Sequence, residues 1–208
     1  MSKSQLIKFS GWAFILGGLG LITILAGSGL LTFVGSVIAS ILLAAGMLGM
    51  RARYGEHDGS FGRNILLLGV IGPILWCIVI ASMALMYRSG NLTEAKIEDK
   101  GLWILMFGGP AISLLGLTLF GLAALRSKPM ARFNWLPVFA GIWYPVFYFF
   151  LAGYLFTNNG VYPGQYQMAF NILHLVQFLA LCVLGSKLVS DANQETATAS
   201  LEQLPQGK

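Results

Sequence analysis

Long apolar runs separated by short polar connections dominate the sequence. A helix that crosses the hydrocarbon core of a bilayer needs about 20 predominantly apolar residues. Six stretches have this character, which predicts six transmembrane helices and an all-α fold. The predicted spans cover residues 8–27, 30–50, 64–87, 102–125, 133–156 and 167–189. We expect them to form one compact bundle over residues 1–189, built from three consecutive helical hairpins.

Basic residues are distributed unevenly over the connections between these spans. The segment from Arg51 to Arg63 carries three arginines, and the segment 126–132 carries three further basic residues. Alternating span directions place ten of the thirteen Lys and Arg residues on one side of the membrane. Cytoplasmic connections are enriched in Lys and Arg, so this side is predicted to be cytoplasmic, together with both termini. The polar stretch 190–208 has no apolar period and is predicted to be a disordered cytoplasmic tail.

The composition strengthens the membrane assignment. Hydrophobic residues make up 56% of the chain and charged residues only 10%, against about 25% charged residues in ordinary soluble domains. The net charge of +5 follows the predicted topology, and it therefore gives no reason to expect nucleic-acid binding. Lys3 and Lys8 before the first apolar run resemble the start of a signal peptide, but the run has no clean Ala-x-Ala exit, so we interpret it as a retained first helix. A multi-pass chain of this kind is predicted to lie in the inner (plasma) membrane of a bacterium.

Residues that carry chemistry are scarce inside the predicted spans. All eight acidic residues lie in connections or in the tail, which argues against a proton- or sodium-coupled transporter. The two cysteines, Cys77 and Cys182, lie in separate apolar runs and form no metal-binding or redox pair. The sequence also lacks the Gly-x-Ser-x-Gly and His-Glu-x-x-His motifs of hydrolases. We therefore expect a protein without enzymatic activity and without a metal site, and the sequence identifies no cofactor.

One polar cluster interrupts the sixth predicted span. Asn171, His174 and Gln177 follow one another at intervals of three residues and share one side of a helix. Polar side chains in a membrane helix face the bundle interior, because lipid offers them no hydrogen-bond partner. They could bind a ligand, for example a haem through His174 or the polar head of a quinone. Alternatively, they form hydrogen bonds between helices, each worth about 0.6–2 kcal/mol.

The fifth predicted span is rich in aromatic residues. Trp143, Tyr144 and Tyr148 lie near its middle, away from the interfaces where Trp and Tyr are usually enriched. Their polar atoms favour partners inside the bundle, so these side chains are candidates to line an apolar pocket beside His174. In the alternative interpretation, the rings face lipid or a partner subunit.

Two further groups of residues have predicted structural roles. Pro73, Pro110 and Pro145 each fall within a span, where proline removes a backbone hydrogen bond and kinks the helix. Arg51, Arg53 and Arg63 are predicted to contact the head groups of anionic lipids.

Together these features predict a membrane protein that binds or transports a small apolar or amphipathic ligand within its bundle. Two alternatives remain open at this point. One is a structural accessory subunit that packs against partner membrane subunits. The other is a redox protein that binds haem or a quinone through His174.

Overall fold

A computed structural model gives the fold of residues 2–26, 30–57, 59–90, 100–157 and 164–202. These residues form long α-helices and one short 3-10 turn, and the described part of the chain contains no strand. The helices are α1 (Lys3–Ala26), α2 (Leu30–Tyr54), α3 (Gly59–Arg88), α4 (Lys100–Ser127), α5 (Leu136–Thr157) and α6 (Gly164–Glu202). The 3-10 turn, Ala131–Phe133, lies between α4 and α5.

The described residues confirm an all-helical chain, and apolar helices of membrane-spanning length are consistent with a membrane protein. Within the described residues, four segments are long and apolar enough to cross a bilayer: Phe33–Tyr54, Gly59–Arg88, Gly108–Ser127 and Asn171–Thr198. Leu136–Phe147 in α5 is a shorter apolar helix. Helices of the described residues therefore support four of the six predicted membrane crossings.

The helices pack in the order of the chain and close into a ring. Each of α2, α3, α4 and α5 packs against the helix before it and the helix after it, and α6 returns to pack against α1. A smaller contact joins α6 to α2. Each helix exposes one apolar face, as in α3, where the exposed residues include Leu67, Ile71, Ile74, Ile78 and Leu85. In a bilayer these faces meet lipid, while the opposite faces form the buried core.

Glycines bring several neighbouring helices into backbone contact. A methyl group on Gly72 of α3 would lie 2.5 Å from the carbonyl oxygen of Gly109 in α4. A methyl group on Gly11 of α1 would likewise lie 2.6 Å from the carbonyl oxygen of Gly185 in α6. Lipid tails are as apolar as leucine side chains, so membrane helices associate through this kind of close packing.

The connection between α2 and α3 is shorter than the sequence predicts. A polar loop was expected over residues 51–63, but α2 continues to Tyr54 and α3 begins at Gly59. Arg51 and Arg53 lie in the last turn of α2, where positive charge is favourable at the negative end of the helix dipole. Gly59 has a φ of +61°, which a residue without a β-carbon adopts readily at the start of α3.

The structure also differs from the disordered tail expected after residue 189. Helix α6 continues to Glu202, and Asp191 and Ala192 are buried against the rest of the molecule. The hydroxyl of Ser4 in α1 donates a 3.2 Å hydrogen bond to the carbonyl oxygen of Ala192. Residues 190–202 are polar, yet they find partners on α1 and α2 that the apolar pattern does not reveal. We call this part of α6 its polar extension; residues 203–208 lie outside the described part.

Candidate functional site

The most buried polar side chains of the predicted ligand site lie on the inner side of α6. His174 and Gln177 are each only 5% exposed. They continue into a stripe of buried apolar residues at helical spacing that includes Leu181, Leu184 and Leu188. His174 and Gln177 therefore form the polar end of a stripe that is otherwise apolar.

The neighbours of α6 show which way this stripe faces. Phe178 lies against Gly18, and Gly185 lies against Gly11, so these positions form the contact with α1. The stripe that contains His174 lies beside this contact, whereas the residues on the far side of α6 are exposed: Ile172, Leu175, Leu179 and Val183. His174 and Gln177 consequently lie on the buried side of α6, next to its contact with α1, and Asn171 is half-buried.

Trp143 differs from His174 and Gln177 in its exposure. Trp143 is 43% exposed and belongs to an aromatic row on the outer side of α5. In this row Phe139 contacts Trp135 edge to face at 5.6 Å and contacts Trp143 edge to face at 6.3 Å between ring centroids. This exposure favours the alternative in which the Trp143 ring faces lipid or a partner, and its predicted role in a ligand site stays a prediction. The side chains of Tyr144 and Tyr148 lie outside the described residues, so their predicted role stays a prediction.

The three prolines lie inside helices, and all three are buried. Pro73 belongs to α3, Pro110 to α4 and Pro145 to α5, and each helix continues through its proline. Because Pro73 has no N–H, the carbonyl group of Gly69 loses its partner within α3. The hydroxyl of Ser113 in α4 donates a 3.0 Å hydrogen bond to that carbonyl oxygen. A neighbouring helix thus supplies the missing donor.

The three arginines of the α2–α3 connection do not act as one group. Arg51 donates a 3.2 Å hydrogen bond from Nε to the carbonyl oxygen of Arg63. Arg53 is half-buried and pairs with Glu195 of the polar extension. Arg63 is exposed. The guanidinium of Arg53 is thus engaged by carboxylates of the same chain, and the lipid contact of the three arginines stays a prediction.

A buried carboxylate, which sequence analysis assigned to the tail, organises the same end of the bundle. Asp191 is 4% exposed and accepts a 2.5 Å hydrogen bond from the hydroxyl of Tyr54, which is itself 1% exposed. Lys187, one helical turn away, pairs with Asp191, and the Nε atom of Arg53 lies 3.6 Å from it. We call Arg53, Tyr54, Lys187, Asp191 and Glu195 the polar clasp. The spacing of Lys187 and Asp191 was visible in the sequence, but their partners on α2 were not.

The clasp and the α6 stripe have different chemical capacities. In the clasp, two cations and a hydroxyl surround Asp191, so its charge is compensated and its role is to hold α6 against α2. The stripe offers an imidazole and a carboxamide, which can donate and accept hydrogen bonds or supply one ligand to a metal. Among the described residues, no group of three or more His, Cys, Asp or Glu is arranged to hold a metal ion.

Comparisons of the chain with protein-family models, with curated proteins and with solved structures found no match.

Proposed function

We propose that the chain crosses a bacterial inner membrane six times and binds a small apolar or amphipathic ligand inside its ring of helices. The polar head of this ligand would bind to His174 and Gln177. The protein would act by binding or carrying the ligand without catalysing a reaction. The burial of both polar side chains on the inner stripe of α6 supports the proposal most directly. Polar groups at membrane depth are costly and commonly mark a functional site.

The position of His174 along α6 suggests the side from which a ligand enters. His174 lies 17 residues before Asp191, which corresponds to about 25 Å along the helix at about 1.5 Å per residue. The clasp marks the end of the bundle with the basic connections. In a hydrocarbon core about 30 Å thick, His174 would lie in the half of the membrane nearer the opposite side. We therefore expect the ligand to enter from the non-cytoplasmic half.

The haem alternative would need a second iron ligand besides His174. The chain has two histidines, and the second, His57, is exposed in the turn between α2 and α3. His57 lies at the end with the basic connections, far from His174 along the helices. Two histidines of one chain therefore cannot ligate the same haem iron, and a haem would depend on His174 with a different second ligand.

The test is a comparison of bound small molecules in three purified forms of the protein. The native chain, His174→Ala and Leu181→Ala would be extracted into lipid nanodiscs without prior exposure to detergent. Each preparation would be analysed by its visible spectrum and by mass spectrometry of extracted molecules. Leu181 is a matched control, because it is fully buried on the same stripe two turns away and its truncation also leaves a cavity.

The proposal predicts a molecule that remains bound to Leu181→Ala and is lost from His174→Ala. An absorption band in the Soret region that disappears with His174→Ala would instead identify the redox alternative. A native preparation without ligand, whose thermal stability falls in His174→Ala, would overturn the proposal. His174 would then serve as a hydrogen-bonding contact between helices.

A further inference from the structure

The basic residues at the clasp end of the molecule fall into two classes. Arg53 and Lys187 are half-buried and paired with carboxylates of α6. Arg126, Lys128 and Arg132 are exposed, and none of them has a carboxylate within 4 Å in the part of the chain that the structure describes. The polar extension thus pairs with Arg53 and Lys187, whereas the three cations of the α4–α5 connection, like Lys3, Lys8 and Arg63, have no carboxylate within 4 Å among the described residues.

The unpaired cations lie at the edge of the apolar outer surface. On α4, the exposed residues Leu122 and Leu125 lie four residues and one residue before Arg126. The exposed aromatic row begins at Trp135, in the turn directly before α5. Gly121 of α4 contacts Val138 of α5, so the two antiparallel helices run level at this point. Arg126 lies five residues after Gly121, and Trp135 lies three residues before Val138. At about 1.5 Å per residue, they lie about 7.5 Å and about 4.5 Å from this contact, both toward the connection between the helices. Both therefore lie where the lipid-facing surface ends.

The connection that carries these cations has a defined conformation. Lys128 directly follows the last residue of α4. Its N–H donates a 2.9 Å hydrogen bond to the carbonyl oxygen of Ala124, and its φ of 53° turns the chain out of the helix. Asn134 accepts a 2.8 Å hydrogen bond from the N–H of Met130, whose side chain is 1% exposed. The guanidinium of Arg132 lies over the ring of Phe133, 5.3 Å from its centroid. Buried anchors within the loop thus present its three cations outward.

We propose that Arg126, Lys128 and Arg132 form a binding surface for the head groups of anionic phospholipids, with Trp135 at the interface beside them. A phosphodiester accepts charge-assisted hydrogen bonds from the arginine forks and from the lysine ammonium group. The acyl chains of the same lipid would lie along Leu122, Leu125 and Phe139. Phospholipid fits better than a soluble anion, because the cations border an apolar surface and not a polar cleft. This proposal rests on the membrane location alone and is independent of the ligand inside the ring.

The experiment compares lipid binding to two variants that each remove two positive charges. One is Arg126→Gln/Arg132→Gln, and the matched control is Lys3→Gln/Lys8→Gln, which changes exposed residues of α1 on the basic side. Lipid-depleted protein would be titrated with phosphatidylglycerol and with phosphatidylcholine, and bound lipid would be counted by native mass spectrometry. Gel filtration, and impermeant labelling of Ser127→Cys introduced into separate samples of each variant, would establish that fold and orientation are retained.

We expect phosphatidylglycerol affinity to fall about tenfold or more in Arg126→Gln/Arg132→Gln and less than about twofold in the control, since each basic group near an anionic surface accounts for a factor of about five. Phosphatidylcholine binding should change little in either variant. Equal losses of phosphatidylglycerol affinity in both variants would show that only the net charge of the protein matters, and they would overturn the proposal of a specific binding surface. Displacement of the lipid by inorganic phosphate would also overturn it. If the double variant fails to fold, the single variants Arg126→Gln and Arg132→Gln should each lose about fivefold in affinity, and two unchanged affinities would refute the proposal.

Discussion

At the scale of single residues, the contact between α3 and α4 shows how a membrane protein accommodates a proline. Water cannot reach the carbonyl group that Pro73 leaves without a partner, so another part of the protein must supply a donor. Ser113 does so from the neighbouring helix. The close approach of Gly72 and Gly109 makes this possible, because it brings the backbone of α3 within reach of a short serine side chain.

This arrangement predicts that the two residues are coupled energetically. Ser113→Ala should lower the free energy of unfolding by about 1 kcal/mol, since the carbonyl of Gly69 loses its donor. In a Pro73→Ala background, residue 73 supplies its own N–H, so the same serine substitution should cost clearly less. Unfolding titrations in mixed detergent micelles would measure this double-mutant cycle. As a control, Ser82→Ala should have little effect, because Ser82 is exposed and bonds only within α3. Equal costs for Ser113→Ala in both backgrounds would contradict the coupling.

The sequence could identify some of these residues but not their partners. The spacing of His174 and Gln177 predicted one shared face, because two polar residues in an apolar helix mark its buried side. Trp143 could not be placed in the same way, because α5 carries no charged, amide or imidazole side chain, and its amphipathic Trp and Tyr residues can face either the bundle or lipid. Ser113 is 44 residues from Gly69, and only the packing of α3 on α4 brings them together.

At the scale of elements, the polar extension of α6 is the main departure from the sequence-based prediction. Its composition is typical of a disordered tail, and no apolar period marks it as helical. Its stability in the fold comes from contacts with distant residues. Tyr54 lies 137 positions from Asp191, and Ser4 lies 188 positions from Ala192. Composition reports on local preferences, so it could not show that α1 and α2 offer partners for this segment.

Because the clasp provides these contacts, its loss should release the polar extension before the rest of the bundle. Asp191→Asn should reduce hydrogen-exchange protection over residues 190–198 about thirtyfold, as expected for the loss of about 2 kcal/mol in charged hydrogen bonds. Tyr54→Phe should act in the same direction while it preserves the buried ring. Glu195→Gln should have a smaller effect, because that pair is partly exposed and is screened by solvent. Unchanged protection in both Asp191→Asn and Tyr54→Phe would show that the clasp does not hold the extension.

At the scale of the whole molecule, the closed ring goes beyond the three hairpins that the sequence suggested. The hairpin pairs α1–α2, α3–α4 and α5–α6 do pack together, but α2–α3 and α4–α5 pack as well. Short connections favour contact between consecutive helices, so this part of the order follows from the chain itself. The contact between α6 and α1 has no such origin, because it joins the two ends of the helical sequence. It depends on Gly11 and Gly185, whose lack of side chains lets the two backbones approach.

The closure can be tested with a cysteine that the chain already contains. Cys182 of α6 lies with its sulfur 4.0 Å from the carbonyl oxygen of Ile15 in α1. In a Cys77→Ala background, Ile15→Cys should therefore form an intramolecular cross-link to Cys182 on oxidation or with a short dithiol-reactive reagent, detected by peptide mass spectrometry. Trp12→Cys is the matched control, because it lies three residues away on the exposed face of α1 and should remain unlinked.

Cross-linking of Trp12→Cys in preference to Ile15→Cys would show that the opposite face of α1 packs against α6. Links found only between two chains would mean that α1 and α6 meet across an oligomer, and the glycine contact between them would then be an interface between subunits.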